Sequence, residues 1–389
     1  MTNITFAVGG DIPVRRLGFG AMRITGPGTW GPPRDPAAAR VLLRRAVDLG
    51  VQLIDTADAY GPGVSEELIA EALFPYDGLL IATKGGYERT GPSGESASGE
   101  LIGWTPNGRP EHLRSACEAS LRRLRLDRID LYQLHTPDPS VPFAESIGAL
   151  DALKREGKIR HIGVSNVTPE QLAVALTSTD IATVQNRLNL TTGNWRNVLT
   201  ECERREIGFI PYRPLRAWDD PARQQILASA ATRRGANTSQ IALAWLLAVS
   251  PVTLPIPGTA TPAHLEDNLA AAMLQLGPDE VDAHHRGGIE RHAAVRSGRS
   301  SKLIDREGPR LFRMRIAKVP RAEHGRHTGV AVRVLVAAQS CGSSMSSFSG
   351  WPEKPPYTRL GPVTSGPTPA LVSLRTVVPS SKPFWTQPA

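Results

Sequence analysis

The sequence predicts an α/β fold, a parallel (β/α)8 barrel of the TIM type, followed by a basic C-terminal extension of different character. Three observations carry this. Eight short apolar runs alternate with helix-length segments between residues 16 and 273, the pattern of a parallel sheet with helical crossovers. No Gly-x-Gly-x-x-Gly follows any of these runs, so the fingerprint of a doubly wound dinucleotide-binding sheet is absent. Three of the runs end in proton-handling side chains, 51–55 in Asp55, 79–84 in Lys84 and 129–135 in His135. A barrel places its chemistry at such C-terminal strand ends.

The elements follow in order. Arg16-Leu-Gly-Phe-Gly-Ala-Met-Arg23 reads as a first strand, with glycines where backbone must approach a neighbour closely. Residues 36–49 read as a helix with Asp35 as N-cap, Pro36 at its first position and Gly50 at its stop. Strand 51–55, helix 65–73 and strand 79–84 come next. Residues 85–109, rich in Gly, Ser and Pro and containing Trp104, read as a long loop, a length that usually signals function. Then come helix 110–124, strand 129–135, helix 143–156, strand 159–165, helix 168–176 and strand 182–186. Helix 196–206 leads to strand 208–212. Helices 221–234 and 238–249 precede strand 252–256, and helix 262–273 closes the series.

Charge divides the chain at the same place. Residues 283–389 hold 17 Lys/Arg and 5 Asp/Glu, leaving 28 of the 45 basic and 32 of the 37 acidic residues to the first 282. The body is therefore at −4 and the remainder at +12. Two domains are expected: the barrel, 1–283, and a low-complexity basic tail, 284–389. The tail is too poor in apolar periodicity to order itself and reads as a disordered appendage or an out-of-frame continuation. Its arginines show no spacing or aromatic interleaving of a nucleic-acid arm, so no nucleic-acid partner is expected. Cys117, Cys202 and Cys341 are scattered and odd in number, which argues against a disulfide framework or a zinc site and for reduced thiols. With no secretory segment and no apolar run of about 18 residues, a cytoplasmic protein with no membrane contact is expected. No metal is expected, and the oligomeric expectation is a monomer.

The residues at the strand ends form a chemical set. A tyrosine, Tyr60, follows Asp55 in Asp55-Thr-Ala-Asp-Ala-Tyr60-Gly61. A phenol, with an ordinary pKa of about 10, is a poor acid near neutrality. A neighbouring ammonium lowers that value, and a carboxylate holds the ammonium in place. Tyr60 is then the candidate proton donor, Lys84 its activator, Asp55 the partner of Lys84, and His135 a neutral imidazole orienting an oxygen. Asp55, Tyr60, Lys84 and His135, in this order and inside the segments Ile-Ala-Thr-Lys84 and Asp-Leu-Tyr-Gln-Leu-His135, resemble the catalytic tetrad of the aldo-keto reductases. The resemblance runs from about Arg16 to Asp282.

The resemblance implies an NAD(P)H-dependent oxidoreductase that reduces small aldehydes or ketones reversibly by direct hydride transfer. It implies cofactor residues segment by segment. Ser165 and Asn166, in Gly163-Val-Ser-Asn166, and Gln185 would hold the nicotinamide carboxamide, and Tyr212 would stack on the ring. Backbone from Arg213 to Arg216, including Pro214 and Leu215, would approach the pyrophosphate. Gly258, Thr259 and His264 would border the adenosine phosphates at a helix N-terminus, with Asp267 and Asn268 on the adenine. Gly258 and His264 stand where many members carry Lys and Arg, cations that grip the 2′-phosphate of NADPH. NADP(H) is the expected cofactor, and NAD(H) use is the alternative those two positions raise. Pocket walls are expected from Met22, Trp30, Tyr87 and Trp104. The rival reading is an NAD(P)H-binding regulatory or partner-binding barrel with slow turnover.

Overall fold

The computed structural model describes residues 5–95, 101–190, 196–215, 221–277 and 279–281, all within the unit Met1–Ile304. The basic tail from 284 onward, with Cys341, lies outside the described residues, as does Arg216. The chain begins with a hairpin that the sequence reading did not anticipate: β1 (Thr5–Val8) pairs antiparallel with β2 (Ile12–Arg15), Val8 opposite Ile12. Its turn is Gly9-Gly10-Asp11, and both glycines hold positive φ, 63° and 83°, which suits glycine in a tight hairpin turn.

The barrel strands are β3 (Phe19–Gly20), β4 (Leu53–Asp55), β5 (Leu80–Gly85), β8 (Ile129–Leu134), β9 (Ile159–Ser165), β10 (Ile181–Gln185) and β11 (Gly208–Phe209). They form one parallel sheet in the order β11-β10-β9-β8-β5-β4-β3. The eighth member, predicted as strand 252–256, pairs through a single bridge, Phe209 to Thr253. On one side Phe209 N–H donates to the Val252 carbonyl at 2.8 Å, and the Phe209 carbonyl accepts from Leu254 N–H at 2.7 Å. On the other, Gly18 N–H donates to the Pro255 carbonyl at 2.9 Å and Gly20 N–H to the Pro257 carbonyl at 3.4 Å. The sheet thus closes, and the segment 252–257 is its seam. Prolines 255 and 257 cannot donate ladder hydrogen bonds, which explains why the predicted strand is not continuous.

Helices α1 (Pro36–Asp48), α2 (Val64–Leu73), α3 (Pro110–Leu124), α4 (Phe143–Arg155), α5 (Pro169–Ser178), α6 (Arg196–Arg205), α7 (Pro221–Arg234), α8 (Thr238–Val249) and α9 (Pro262–Ala270) surround the sheet, close to their predicted bounds. Their starts follow from local chemistry. Asp35 accepts from Ala38 N–H at the start of α1, and Thr168 with Gln171 and Asn237 with Gln240 make reciprocal capping boxes. Helix α8 buries Ile241 through Leu246 on every side, as a helix apolar all round must.

The predicted loop 85–109 is instead an antiparallel hairpin, β6 (Tyr87–Glu95) with β7 (Leu101–Pro106), irregular between Arg89 and Gly94. Its Gly-Pro-Ser composition hid the pairing, because the strands are held by side chains more than by β-propensity. Inside the barrel, Val8, Val14, Leu53, Leu80, Ala82, Leu131, Ala182, Ile210, Leu254 and Ile256 pack as one cluster. Two of these belong to the N-terminal hairpin, which plugs the end opposite the strand C-termini. The two other clusters fill the layer between sheet and helices.

Arg16 locks the seam. It is 2% exposed, and its guanidinium donates to the carbonyls of Leu247, Ser250 and Thr253 and to Thr253 Oγ1. Burial pulls its pKa down to about 10, still charged at neutrality. Arg16→Met is expected to take a donor from three carbonyls, of which that of Ser250 keeps Thr253 Oγ1 and that of Leu247 is only partly buried, so the cost is roughly 1–3 kcal/mol for the buried Thr253 carbonyl left unsatisfied. Urea unfolding should show a midpoint well below wild type; an unchanged midpoint would mean that Arg16 is dispensable to closure.

Candidate active site

The sheet register brings the predicted acid, base and amide groups to one level. Asp55 lies beside Ala82 and Gly20, Lys84 beside Gln133, and Gln185 beside Ser165. Lys84 is fully buried; its ammonium donates to Asp55 Oδ2 at 2.7 Å and to the Thr56 carbonyl at 2.7 Å. The other carboxylate oxygen, Oδ1, accepts from Gln185 Nε2 at 2.7 Å and Gln133 Nε2 at 3.3 Å. A buried ion pair is tolerated when its remaining valences are satisfied, and here one acceptor, the Thr56 carbonyl, and two donors, Gln133 and Gln185, surround it. Burial pulls the Lys84 pKa down, opposed by the charge and hydrogen bond of Asp55.

Tyr60 lies above this pair, with Lys84 Nζ 5.3 Å from its ring centroid. From sequence, the neighbouring ammonium is expected to lower the phenol pKa. In the structure the net direction is upward: burial first, then the negative charge of Asp55, hold Tyr60 well above the ordinary phenol range. The ammonium is spent on Asp55 and Thr56, so Tyr60 stays protonated at neutral pH. His135 is held well below its ordinary pKa by burial, then by the Lys84 and Arg89 charges. It is therefore a neutral imidazole, as expected from sequence.

Four rings meet edge to face at the barrel mouth. His135 lies 5.8 Å from Tyr60, 4.8 Å from Tyr87 and 6.0 Å from Trp104, centroid to centroid. Arg89 fixes this wall. Its guanidinium lies 3.7 Å from the Trp104 ring centroid and donates to the carbonyls of Gly28, Thr29, Ala59, Gly91 and Gly103. Trp104 Nε1–H donates to Ser93 Oγ at 2.5 Å. One side chain thus ties the β6–β7 hairpin to the loop at 28–29 and to the turn bearing Tyr60.

A cleft of about 880 Å³ opens over these groups, lined by Met22, Tyr60, Tyr87, Trp104, His135, Ser165, Asn166, Gln185, Tyr212, Pro214, Leu215 and Gly258, with Arg23, Arg187 and Arg213. A second cleft, of about 960 Å³, shares Met22, Arg23, Leu215 and Gly258 with it and continues to Arg34, Thr259, His264, Asp267 and Asn268. Every predicted cofactor residue among the described ones borders one or the other. Trp30, expected in the pocket wall, borders neither; it is 36% exposed, with its ring 5.6 Å from Arg89, so it supports the wall from outside. Lys84 lies beneath the cleft floor.

The amides predicted for the carboxamide already have partners. Gln185 donates to Asp55, and Asn166 Nδ2 donates to the His135 carbonyl and to Ser165 Oγ. Asn166 Oδ1 accepts from Tyr212 OH at 2.7 Å, which fixes that ring at the cleft wall. Asn166 holds positive φ, 60°, a conformation asparagine tolerates well. Gly258 has a structural reason: a Cβ there would lie 2.6 Å from the Gly20 carbonyl oxygen, and one on Gly20 would lie 2.7 Å from the Ile256 carbonyl. The seam closes glycine on glycine, so a lysine side chain has no room to start at 258. His264 Nδ1 is engaged with Thr261 Oγ1 at 2.8 Å.

Sequence reasoning missed Arg23, Arg89 and Arg187. Arg187 could have been found from strand period, since it lies two residues beyond Gln185 and shares its face. Nothing local to Arg89 announces its contacts, which span 60 residues of sequence. No group of three or more metal-ligating side chains is found among the described residues, and none of their helices is long and apolar enough to cross a membrane.

This geometry belongs to a known class. Residues 16–217 and 219–286 match the model of the Aldo/keto reductase family, and the chain belongs to that family; it is an NAD(P)H-dependent oxidoreductase that acts on small carbonyl compounds. Among curated relatives, an oxidoreductase of Schizosaccharomyces pombe is 46% identical over 270 residues, 69% of this chain and 85% of the relative. Pyridoxine 4-dehydrogenase of Escherichia coli is 41% identical over 286 residues, 72% of this chain and 96% of the relative. Among solved structures, an aldo-keto reductase of Klebsiella pneumoniae in complex with NADPH matches with TM-score 0.61 and 27% identity, covering 74% of this chain and 96% of that one.

Two expected outcomes follow from the geometry. Arg89→Met is expected to free Trp104 and raise the KM for an aromatic aldehyde at least fivefold, while the cofactor Kd stays within twofold; steady-state kinetics with cofactor titration would check this. Asp58, whose Oδ1 is buried without a hydrogen-bond partner among the described residues, is pushed up from 3.8 to about 8 by burial and by the charge of Glu66. Between those values the folded chain binds a proton that the unfolded chain has lost, so stability falls as pH rises through the window. Urea midpoints should fall from pH 5 to pH 8.5 in the wild type and fall less in Asp58→Asn.

Proposed function

We propose that Tyr60 donates the proton in carbonyl reduction, with His135 orienting the carbonyl oxygen and the Lys84–Asp55 pair holding the donor's surroundings. The observation that carries this is the ion pair buried directly under Tyr60, with His135 on the same cleft floor. Tyr60, kept protonated by burial, holds its proton until an alkoxide-like oxygen of much higher basicity develops next to it. Lys84 then stabilises the phenolate left behind. His135, neutral, offers a hydrogen bond to the same oxygen without competing as an acid. The aromatic wall of Tyr87 and Trp104 excludes water from the reacting carbon.

The paired clefts suit an extended dinucleotide: hydrogen-bonding amides and an aromatic ring at one end, guanidinium groups and a helix N-terminus at the other. When bound, the nicotinamide supplies the hydride. Ser165, Asn166 and the carbonyl of Gln185 would hold its carboxamide and Tyr212 its ring. The backbone at Arg213, Pro214 and Leu215 would meet the pyrophosphate. Gly258, Thr259, His264, Asp267 and Asn268 would border the adenosine. NADP(H) is the favoured form, because Arg23 and Arg34 line the second cleft in place of the absent lysine and arginine. The Klebsiella pneumoniae relative's complex with NADPH supports the same choice.

We assign this activity to residues 1–283; the family match ends at 286, close to where the charge changes sign. Free, buried Cys117 and Cys202 suit a reducing cytoplasm, and a monomer supplies every group named here.

Tyr60→Phe is expected to lower kcat at least a hundredfold, with cofactor Kd within twofold; full turnover would remove the donor assignment. Oxidation of NADPH and NADH with one aldehyde should favour NADPH at least tenfold in kcat/KM. Equal efficiencies would remove the cofactor preference.

A further inference from the structure

The reaction cleft carries more positive charge than the chemistry above uses. Its lining includes one acid, Asp55, and three arginines, Arg23, Arg187 and Arg213. Asp55 is neutralised by Lys84 at 2.7 Å, and His135 is neutral. None of the three arginines forms an ion pair or a side-chain hydrogen bond among the described residues. Arg23 belongs to both clefts, and Arg213 lies on the segment expected at the pyrophosphate, so the cofactor's phosphates account for those two. Arg187 is left over.

Its placement is specific. Gln185, at the end of β10, points into the barrel and donates to Asp55. Asn186 points the other way, accepting from Val167 N–H and donating to its carbonyl. Alternation along the strand returns Arg187 to the Gln185 face, above the tetrad, where its backbone bridges to Tyr212. Its Nε–H is buried and has no acceptor among the described residues. A buried guanidinium N–H without a partner is an unfavourable state that an incoming anion relieves, and a guanidinium fork suits carboxylate or phosphate oxygens.

We propose that Arg187 anchors the substrate, and that the carbonyl substrate of this enzyme carries an anionic group, a carboxylate or a phosphate, placed away from the carbonyl. The proposal rests on the reductase reading. An anion bound there leaves the carbonyl to Tyr60 and His135 and discriminates against neutral aldehydes of the same shape.

The test compares 4-carboxybenzaldehyde with its neutral methyl ester in the full-length protein, in Arg187→Met and in Arg187→Lys, with NADPH affinity measured separately by fluorescence titration. The wild type should have a lower KM for the carboxylate than for the ester. In Arg187→Met the ratio of the carboxylate KM to the ester KM should rise at least tenfold, and Arg187→Lys should fall between. An unchanged ratio overturns the proposal, as does a loss confined to NADPH affinity, which would assign the buried N–H to a cofactor phosphate. Turnover of the ester by the wild type tests the reductase reading by itself: an enzyme that reduces the ester but does not favour the carboxylate disproves only the anchor.

Discussion

The Lys84–Asp55 ion pair is the constraint on which the barrel mouth depends. Taking both charges out of water is costly, and the pair persists because Thr56, Gln133 and Gln185 complete its hydrogen bonds. Those partners come from β8, β10 and the turn after β4, and the pair itself from β4 and β5, so the charge pair sets the register of β4, β5, β8 and β10 against one another. Removing either charge would leave the other buried alone, a change that typically costs about 3–5 kcal/mol. The glycine at 163 belongs to the same arrangement: a Cβ there would lie 2.3 Å from Thr183 Oγ1 and 2.7 Å from Gln133 Cγ. The electrostatics of the site and strand packing are therefore one problem in this fold, solved by one set of side chains.

Arginine does a different job at each level of the molecule. At the closed end Arg16 satisfies the carbonyls of Leu247 and Ser250 at the end of α8 and that of Thr253 in the seam. At the mouth Arg89 gathers five carbonyls from three separate loops and presents a flat face to Trp104. Both act through the planar fork of donors that lysine lacks. Arg40–Glu71, Arg45–Glu266 and Arg114–Glu156 are surface pairs, and pairs of that kind contribute little to stability. Burial and the number of carbonyls bound, more than charge, distinguish the arginines that organise the structure.

Much of the fold was legible because helix and strand periods alternate so regularly, and because capping residues such as Asp35 and Thr168 sit where helices begin. The gathering of Asp55, Lys84 and His135 was legible because each ends an apolar run, and Tyr60 because it follows Asp55 closely on the same loop. The N-terminal hairpin was written in Gly9-Gly10 but is too short to register as a repeat unit. The β6–β7 hairpin was hidden because Gly, Pro and Ser argue for loop while its order comes from Arg89, a contact no local pattern encodes. The direction of the Tyr60 shift was also hidden. It depends on how completely the ring is buried and on which acceptors occupy the Lys84 ammonium, and both are properties of the assembled barrel.

The glycine seam has a consequence for how the molecule responds to its ligand. Gly20, at the end of β3, and Gly258, just past the seam, are brought together from opposite ends of the barrel's sequence, and both border the reaction cleft. The closure there relies on few hydrogen bonds, since two of its residues are prolines. A molecule lying across Met22, Arg23, Leu215 and Gly258 bridges the two sides as a clasp does. Binding then joins the ends of the sheet, so ligand affinity and resistance to opening become two readings of one equilibrium.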